Sequence, residues 1–372
     1  MGDGLNHSAA YIQEKLRPFS MALEYYPAAY QGNPLNLLFL DQDAEPIRDG
    51  FSYLREVDGP SLQADGREYL FGEDAIWPFP AYPVHERPDP VELSQRLAIR
   101  YPLAQRLLLK QREIGKRLIE SVNRIQPDVV LLMVVDGLSY YDLASYIETE
   151  PCLVDGCSIT SIGYRDVIGN PPVSQYLFRA GYKRQLGFTF YDVETNDLSA
   201  DLFTLFGGEQ VRRIREFDEA IKAVRFAKLA HGYIQVTTPG LDHCSHNHHD
   251  NPLRESYLQR IWERFDGIIT AAEKHAHSVL SCLTADHGIA WREFLEPYAE
   301  VITTYQSSDT DHQRYLSGMR RQMPGQYFQN GQHTYTCLSW PYVTRKFKAT
   351  EWGVHGGISA WESLVPFILR YE

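Results

Sequence analysis

Acidic and histidine side chains follow several separate apolar runs of this chain. Six of them stand in four short segments, namely Asp136, Asp242, His246, Asp286, His287 and His355. Each signal alone is weak, because Asp-Gly usually marks a turn and a lone histidine is usually a packed or surface residue. Together, three carboxylates and three imidazoles supply the mixed oxygen and nitrogen ligands that suit two zinc-like ions. A hydroxyl-rich segment, 158–161, lies between Asp136 and the other five.

The sequence around these residues predicts alternating strands and helices that would position them. The run 129–135 is continuously apolar and rich in β-branched residues, which is typical of a strand buried on both faces of a parallel sheet. Further strands are predicted at 185–191, 233–238, 279–284 and 364–369, with helices at 173–180, 217–230 and 256–275. Open parallel sheets bind ligands beyond the carboxyl ends of their strands, where Asp136, Asp242 and Asp286 stand. The pattern predicts an α/β fold with a mostly parallel sheet flanked by helices.

Residues 1–125 are predicted to form a separate, smaller N-terminal α+β region of unknown role. Residues 1–85 mix aromatic residues, prolines and glycines with short strand-like runs at 36–40 and 68–71. From Pro90 to about Ile125 the apolar residues have helical spacing, and Tyr101-Pro102 interrupts them, so two helices are expected there. The remaining residues, 126–372, are predicted to form the second domain.

The composition is that of a soluble enzyme rather than of a nucleic-acid-binding protein. With 372 residues, 44% of them hydrophobic, the chain can bury a large core. The 36 basic and 48 acidic residues give a net charge of −12, and this field repels polyanions. A nucleotide in a metal-filled cleft is still compatible, because bound cations dominate the local field there.

The start of the chain and its cysteines both indicate a cytoplasmic protein. Residues 1–15 lack the basic start and apolar core of a signal peptide, and no apolar run approaches the length that spans a membrane. The five cysteines are odd in number and lack CxxC spacing, which favours reduced thiols. Cys244 is not expected to bind metal, because Asp242 and His246, one helical turn apart, already suffice.

The C-terminal two thirds of the chain resemble a known family. The resemblance is carried by the acid and histidine groups after the strands and by EWGVHGGISAWESLVPFIL, in which an HGG precedes a strand reading VPFIL. Residues 127–372 resemble the alkaline phosphatase superfamily, and most closely its PglZ-domain branch, known from bacterial phage-defence systems. The resemblance implies an alkaline-phosphatase-like fold and two divalent metal ions, with zinc favoured over manganese.

The resemblance also implies individual roles for the candidate residues. One metal ion would be held by Asp242, His246 and His355, and the other by Asp136, Asp286 and His287. The family's nucleophile, a Thr or Ser that bridges the metals, falls at Thr160 or Ser161. Thr160 is preferred because it comes first on the family alignment, and Ser161 stays open. The hydroxyl that does not react would cap the following helix.

Two classes of function follow from these residues. The first is a metal-dependent phosphodiesterase or phosphatase that acts through a covalent phospho-threonine or phospho-serine on a small phosphorylated or nucleotide-like substrate. The second is a catalytically idle PglZ-like module that binds protein partners in a phage-defence complex. The complete set of ligands favours the enzyme, since a retired site tends to lose ligands.

Further residues are candidates for binding the substrate or orienting the ligands. Arg165, four residues after Ser161, is a candidate phosphate clamp one helical turn along. A substrate cleft is expected to be lined by His312, Arg314 and Tyr315. Candidates for orienting the metal ligands are His243, His248 and His249. Diesters are expected to be better substrates than monoesters, because few arginines follow Thr160 to meet a monoester's extra charge.

Overall fold

The computed structural model describes residues 87–145, 147–191, 211–246, 252–302 and 312–372, with Leu35, Leu38 and the strands Gln63–Ala64 and Arg67–Glu68. Apart from Leu38 and Glu68, the strand-like runs expected at 36–40 and 68–71 lie outside these residues. The chain divides into two compact units, of which the first comprises Met1–Leu108 and Ala144–Glu148 and the second comprises Leu109–Leu143 and Thr149–Glu372. The helix expected before residue 125 therefore groups with the second unit rather than with the N-terminal region.

In the first unit, the described elements are an antiparallel pair of two-residue strands and helix α1, Pro90–Leu107. Asp89 caps this helix, since its side chain accepts a hydrogen bond from the Glu92 N–H at 2.9 Å, and a proline at the first helical position has no N–H to satisfy. The interruption expected at Tyr101-Pro102 is a kink instead of an end. Arg100 leaves the helical conformation, with φ −111° and ψ 24°, because Pro102 removes one helical hydrogen bond.

The second unit begins with strand β1, Leu109–Lys110, and helix α2, Gln111–Ile125. The buried face of α2 includes Ile114, Leu118 and Val122, which recur at the spacing of one helical turn. Gln126 ends the helix in the left-handed conformation, φ 54°, and its N–H donates to the Val122 carbonyl. Two helices were expected in this part of the sequence and two are present, but the division between them lies at 108–110.

The strands of the second unit form two main sheets. After β1, the strands of these two sheets are β2 Val129–Asp136, β3 Glu150–Leu153, β4 Arg184–Thr189, β5 Arg212–Arg213, β6 Gly232–Pro239, β7 Val279–Ala285, β8 Tyr315–Ser317, β9 Gly325–Asn330, β10 His333–Leu338 and β11 Leu364–Tyr371. Among the described residues, short strands also form two separate pairs, Ala290–Trp291 with Gly353–Val354 and Glu300–Val301 with Tyr342–Val343. Strands β8, β10 and β9 form a three-stranded antiparallel sheet in that order. The other eight form one sheet in the order β1-β3-β11-β7-β2-β6-β4-β5.

The eight-stranded sheet is mostly parallel. Strand β2 is parallel to both of its neighbours, β6 and β7, and β4 and β5 continue in the same direction. Only β11 reverses, being antiparallel to β3 and β7. The predicted fold class is therefore confirmed, and the predicted strands agree with the observed ones to within a few residues.

Helices cover this sheet. After α2 they are α3 Thr160–Ile168, α4 Val173–Arg179, α5 Phe217–Ala227, α6 Asp242–Ser245, α7 Arg254–Glu273, α8 Arg292–Leu295 and α9 Ala360–Ser363. Helix α2 packs against α3 and α4, α5 packs against α7, and both α3 and α7 pack against β2 and β7. Every residue of β2 is buried, as expected of a central parallel strand. Within the described residues, every helix is too short or too polar to cross a membrane.

Candidate metal centre

Three adjacent strands bring three carboxylates to one edge of the sheet. Strand β2 lies between β6 and β7, and because all three are parallel their carboxyl ends coincide. Asp136 is the last residue of β2, Asp286 follows β7 directly, and Asp242 follows β6 at the start of α6. The Gly137 N–H donates to Asp286 Oδ1 at 3.0 Å, which ties the loop after β2 to the end of β7.

Backbone segments approach one another closely at this edge of the sheet, and two glycines permit the close approach. Gly137 has a φ of 69°, and a Cβ there would lie 2.8 Å from the Cβ of Asp242. A Cβ at Gly163, in the first turn of α3, would lie 1.9 Å from the Asp286 carbonyl oxygen. Only glycine at position 163 therefore allows α3 to approach the end of β7 this closely.

The first cluster of ligands, here called the outer group, consists of Asp242, His246 and His355. Their ligand atoms lie within 4.8 Å of one another, and all three residues are partly exposed. The Nε2 atoms of His246 and His355 stand 3.3 Å and 3.6 Å from Asp242 Oδ1. Asp242 begins the short helix α6 and His246 follows its last residue, so one helical turn sets their side chains side by side.

The second cluster, here called the inner group, consists of Asp136, Asp286 and His287, and all three are buried. His287 Nε2 lies 3.4 Å from Asp136 Oδ1 and 3.7 Å from Asp286 Oδ2. Asp242 also offers a ligand atom within 4.8 Å of those of Asp136 and His287. The three ligand atoms that lie within 4.8 Å of one another here are therefore those of Asp136, Asp242 and His287, and Asp286 reaches the group through His287. Asp242 stands between the two expected ligand sets, although the resemblance had placed it with one ion only.

Main-chain carbonyls fix the orientation of two histidines. His355 Nδ1 lies 2.7 Å from the Ser158 carbonyl oxygen, and His287 Nδ1 lies 3.1 Å from that of Gly288. Because a carbonyl oxygen only accepts, each Nδ1 carries a hydrogen and donates, which leaves the Nε2 atom of each ring facing the carboxylates. The two rings stack with centroids 4.1 Å apart. Both imidazoles are therefore oriented as metal ligands.

The inner group has the chemistry of a cation site. Asp136 Oδ1 and Asp286 Oδ2 are buried and lack a hydrogen-bond donor among the described residues. A buried carboxylate oxygen without a donor is costly, and a divalent cation would satisfy both oxygens. Burial raises the pKa of Asp286 well above its usual value. Burial lowers the pKa of His287, but the negative charges of Asp286, Asp136 and Asp242 outweigh it and raise that pKa to about 10. At neutral pH His287 is therefore protonated unless a cation takes the place of that proton.

The candidate nucleophile stands at the inner group. Thr160 is the first residue of α3, and its Oγ1 lies 3.1 Å from His287 Nε2. Ser161 is the next residue, and its hydroxyl has no hydrogen-bond partner in the described part of the chain. Ile159 occupies the N-cap position without a side-chain cap, so the expected capping role for one of the two hydroxyls is not observed. The N–H groups of Thr160 and Ser161 also lack acceptors among the described residues and remain open to a ligand.

A tyrosine that the sequence did not single out contacts the inner group. The Tyr191 hydroxyl donates to Asp136 Oδ2 at 2.6 Å, and the Tyr164 hydroxyl lies 3.2 Å from that of Tyr191. Burial and the charge of Asp136 raise the pKa of Tyr191 well above its usual value, so the phenol stays protonated and donates. Tyr191 follows β4 at the same edge as the aspartates, but an aromatic residue after a strand is also typical of core packing.

A buried ion pair holds the loop that carries His355. Glu362 Oε1 accepts the Gly357 N–H at 2.9 Å, and Glu362 Oε2 pairs with Arg314 Nη2 at 2.7 Å. Ser158 adds a second tie, because its Oγ accepts the Gly356 N–H at 2.9 Å and donates to the Gly357 carbonyl at 3.1 Å. Arg314 and Glu362 are both completely buried. The expectation that Arg314 lines a substrate cleft is wrong, because Glu362 and main-chain carbonyls already bind its guanidinium.

The remaining candidates are placed as follows. His312 is exposed, and its ring stacks on Tyr315 with centroids 4.2 Å apart. Tyr315 in turn contacts Gly356, so His312 stands one ring away from the loop of His355. Arg165 is exposed on α3.

The remaining candidates, three histidines and Cys244, belong to the segment of the chain that carries Asp242 and His246. His243 lines a cavity beside Asp242, whereas His248 and His249 lie outside the described residues. All five cysteines are buried free thiols, and the Cys244 thiol donates to the Leu241 carbonyl at 3.1 Å. The Cys244 thiol is thus bonded to the main chain of the residue that precedes α6.

Comparison with known proteins gives fold similarity only. No protein-family model and no curated protein matches this chain. Murine ectonucleotide pyrophosphatase/phosphodiesterase 5 superposes with a TM-score of 0.41 at 12% identity, over 64% of this chain and 87% of that one. The C-terminal periplasmic domain of EcEptC from Escherichia coli gives 0.28 at 11% identity, over 44% and 64%. A variant of TAB5 alkaline phosphatase with bound Mg gives 0.23 at 12% identity, over 66% and 91%. Similarity this low leaves the function to be argued from the side chains described above.

Proposed function

We propose that this chain is a two-metal phosphoester hydrolase of the PglZ-like branch of the alkaline phosphatase superfamily, with Thr160 as its nucleophile. One observation carries the proposal. The Thr160 hydroxyl lies 3.1 Å from His287 Nε2, where the inner and outer groups meet and where α3 begins. A hydroxyl, two adjacent ligand clusters and a helix N-terminus in one place are the parts that phosphoryl transfer through a covalent enzyme intermediate requires.

The residues have distinct parts in this reaction. The outer group, Asp242, His246 and His355, would hold one divalent ion and the inner group, Asp136, Asp286 and His287, the other. Zinc or manganese bound there would polarise the phosphoryl group, lower the pKa of the Thr160 hydroxyl and neutralise charge on the leaving oxygen. Thr160 Oγ1 gives up its proton and attacks phosphorus, the bond from phosphorus to the leaving oxygen breaks, and that oxygen takes up a proton and departs as the alcohol. The phospho-threonine formed from a diester keeps the second ester group. The open N–H groups of Thr160 and Ser161 donate to a phosphoryl oxygen, and water then hydrolyses the phospho-threonine.

The substrate we propose is a small, nucleotide-like phosphodiester. A monoester dianion carries one more charge than a diester and needs an additional cation beside the nucleophile. The arginines between Thr160 and Tyr182 are Arg165 and Arg179, and both are exposed. The N-terminal turn of α3 therefore suits the less charged diester. A catalytically idle module that binds protein partners in a phage-defence complex is the alternative, and the assembled ligand groups argue against it.

The test is metal content combined with substrate preference. Purified protein is expected to hold close to two zinc-class ions per chain by elemental analysis, because each group offers the three protein ligands of a catalytic zinc site. The zinc-loaded protein should then have a higher kcat/KM for bis-p-nitrophenyl phosphate than for p-nitrophenyl phosphate. Absence of bound transition metal, together with no hydrolysis after zinc or manganese is added, would sink the proposal. A preference for the monoester would overturn only the choice of diester.

A further inference from the structure

A buried glutamine from a distant part of the sequence contacts the end of strand β7. Gln111 is the first residue of α2 and is completely buried. Its Nε2 donates hydrogen bonds to the Ala285 carbonyl at 2.8 Å and to the Asp286 carbonyl at 2.6 Å. Because carbonyl oxygens only accept, the amide must present Nε2 rather than Oε1 to them. One side-chain amide thus bonds to two consecutive main-chain carbonyls.

These bonds lie where the pairing of the sheet itself ends. Strand β7 pairs with β11 only as far as Leu283, which is the partner of Ile368, and with β2 as far as Ala285. A buried carbonyl beyond the last strand pair is costly unless another donor reaches it. Gln111 supplies that donor at the last residue of the strand and at the residue that follows it.

The segment that Gln111 binds carries two residues of the inner group. Asp286 Oδ1 accepts the Gly137 N–H at 3.0 Å and the His287 N–H at 2.8 Å. His287 Nε2 in turn lies 3.1 Å from Thr160 Oγ1. A shift of the main chain at 285–286 would therefore move the carboxylate and the imidazole together, and with them the contact to the candidate nucleophile.

The helix that carries the nucleophile meets the same carbonyl. A Cβ at Gly163 would lie 1.9 Å from the Asp286 carbonyl oxygen, so the first turn of α3 lies directly against it. Helix α2, which begins with Gln111, also packs against α3. Gln111 is therefore bonded to the point at which the helix of Thr160 and the inner group meet.

We propose that Gln111 is a positioning residue for the inner group. Its amide fixes the main chain at Ala285 and Asp286. It thereby keeps the Asp286 carboxylate beside His287 and the imidazole in contact with the Thr160 hydroxyl. Its Oε1 is buried and accepts no hydrogen bond from a described residue, a cost that the two donated bonds must offset. This inference rests on the proposed function, which assigns a metal ion to the inner group.

Gln111→Met tests the proposal, because methionine has a similar length but donates no hydrogen bond. The zinc affinity of the inner group, measured by competition with a chromophoric chelator, should fall by about tenfold or more while that of the outer group is unchanged. At saturating zinc, kcat for bis-p-nitrophenyl phosphate should fall with KM unchanged, because Gln111 is buried away from the substrate. In crystal structures of the metal-free proteins, the distance from Thr160 Oγ1 to His287 Nε2 should be longer in the variant by about 0.5 Å or more.

Gln185→Met is the matched control. The Gln185 Nε2 also donates to two main-chain carbonyls, those of Ser174 at 2.7 Å and Tyr182 at 3.3 Å, and its Oε1 also lacks a donor among the described residues. Gln185 stands near the start of β4, whereas the metal ligands follow the opposite ends of the parallel strands. Gln185→Met should therefore lower the melting temperature but leave zinc affinity, kcat and the distance from Thr160 to His287 unchanged.

The outcomes separate the role of Gln111 from the proposed function. If the wild-type protein binds no zinc and hydrolyses nothing, the proposed function fails, and the metal-free structures decide the role of Gln111: a longer distance in Gln111→Met supports it and an unchanged distance overturns it. If zinc binds, equal effects of the two glutamine variants, or a loss shared by both ligand groups, would show that Gln111 only stabilises the fold. Should Gln111→Met not fold, Gln111→Asn takes its place with the same expected results, because its amide is one carbon shorter and cannot reach both carbonyls.

Discussion

The inner and outer ligand groups are neighbours, yet they are built in different ways. The inner group takes its two carboxylates from the ends of central strands, is buried, and has two carboxylate oxygens without donors. The outer group is partly exposed and combines one carboxylate with two histidines, one of which comes from a loop far along the chain. The inner group is therefore rigid and offers two buried carboxylates to a cation, whereas the outer group depends on distant contacts that hold His355 in place. An ion in the inner group should be the more tightly bound of the two.

The largest effect on activity is expected from substitution of Thr160, the candidate nucleophile beside the inner group. Thr160→Ala removes the hydroxyl at 3.1 Å from His287 Nε2 and should lower kcat by about three orders of magnitude or more, with the fold and metal content retained. Ser161→Ala, whose hydroxyl contacts no described residue, is the matched control and should lose much less. Reversed effects would identify Ser161 as the nucleophile.

The second prediction concerns the contacts that hold the outer group. Glu362→Gln leaves the charge of Arg314 buried and unpaired, which should cost about 3–5 kcal/mol in the free energy of unfolding measured with urea. Asp266→Asn removes the exposed pair between Asp266 and Arg370 and should cost at most about 1 kcal/mol. Equal losses of unfolding free energy in the two variants would show that the buried pair between Arg314 and Glu362 does not stabilise the loop of His355.

Metal removal compares the two groups directly. Titration of the zinc-loaded protein with a chelator should release the ions in two steps, the outer one first, because its ligands are partly exposed. Asp286→Asn and His355→Ala should each leave about one ion per chain, since each removes one of three protein ligands. Elemental analysis after dialysis measures the content. Release of both ions in one step would contradict the difference between the groups.

The pH dependence of zinc uptake should distinguish the groups further. The carboxylates around His287 overcome the effect of burial and raise its pKa to about 10, so below that pH zinc must displace a proton from the inner group. In the outer group, burial and the charge of His287 lower the pKa of His355 to about 4, so its Nε2 is already free at neutral pH. Burial lowers the pKa of His246, but its hydrogen bond with Asp242 and the charge of Asp242 outweigh that effect and raise it, so a proton on His246 is the one that zinc must displace from the outer group. The affinity of the inner group should therefore rise about tenfold per pH unit between about pH 6.5 and about pH 8.5. Competition with a chromophoric chelator measures this slope, and a flat profile would contradict the expectation.

The strands and the carboxylates at their ends were predictable because their determinants are local. The run 129–135 is apolar and β-branched and predicts a buried parallel strand, and the runs 233–238 and 279–284 contain enough apolar and β-branched residues to predict further strands. Parallel strands place the residues that follow them at one edge, which is where Asp136, Asp242 and Asp286 lie. Helical periodicity likewise predicted α7, but it did not predict which face of α7 lines the cavity beside Asp242.

What sequence reasoning missed depends on contacts between distant residues. Arg314 stands in a polar segment and was expected to face a substrate, but Glu362, which follows the HGG loop, binds it in the interior. Tyr191 bonds to Asp136 only because β4 and β2 are separated by a single strand. The residues next to Arg314 and Tyr191 in the sequence do not indicate which distant residue each of them contacts.

The smallest predicted effect tests whether Tyr191 strengthens metal binding by the inner group. Tyr191→Phe removes the hydrogen bond of 2.6 Å to Asp136 Oδ2 and leaves that oxygen without its phenol donor. Groups that orient metal ligands typically contribute about tenfold or more to metal affinity, so zinc affinity of the inner group should fall by about that factor while the outer group is unaffected. Tyr164→Phe is the control, because its hydroxyl contacts Tyr191 and the Val134 carbonyl but not Asp136, and it should have a smaller effect. If both variants lower the affinity of both groups equally, the tyrosines support general packing of the sheet edge, and the inner and outer groups are less independent than their geometry indicates.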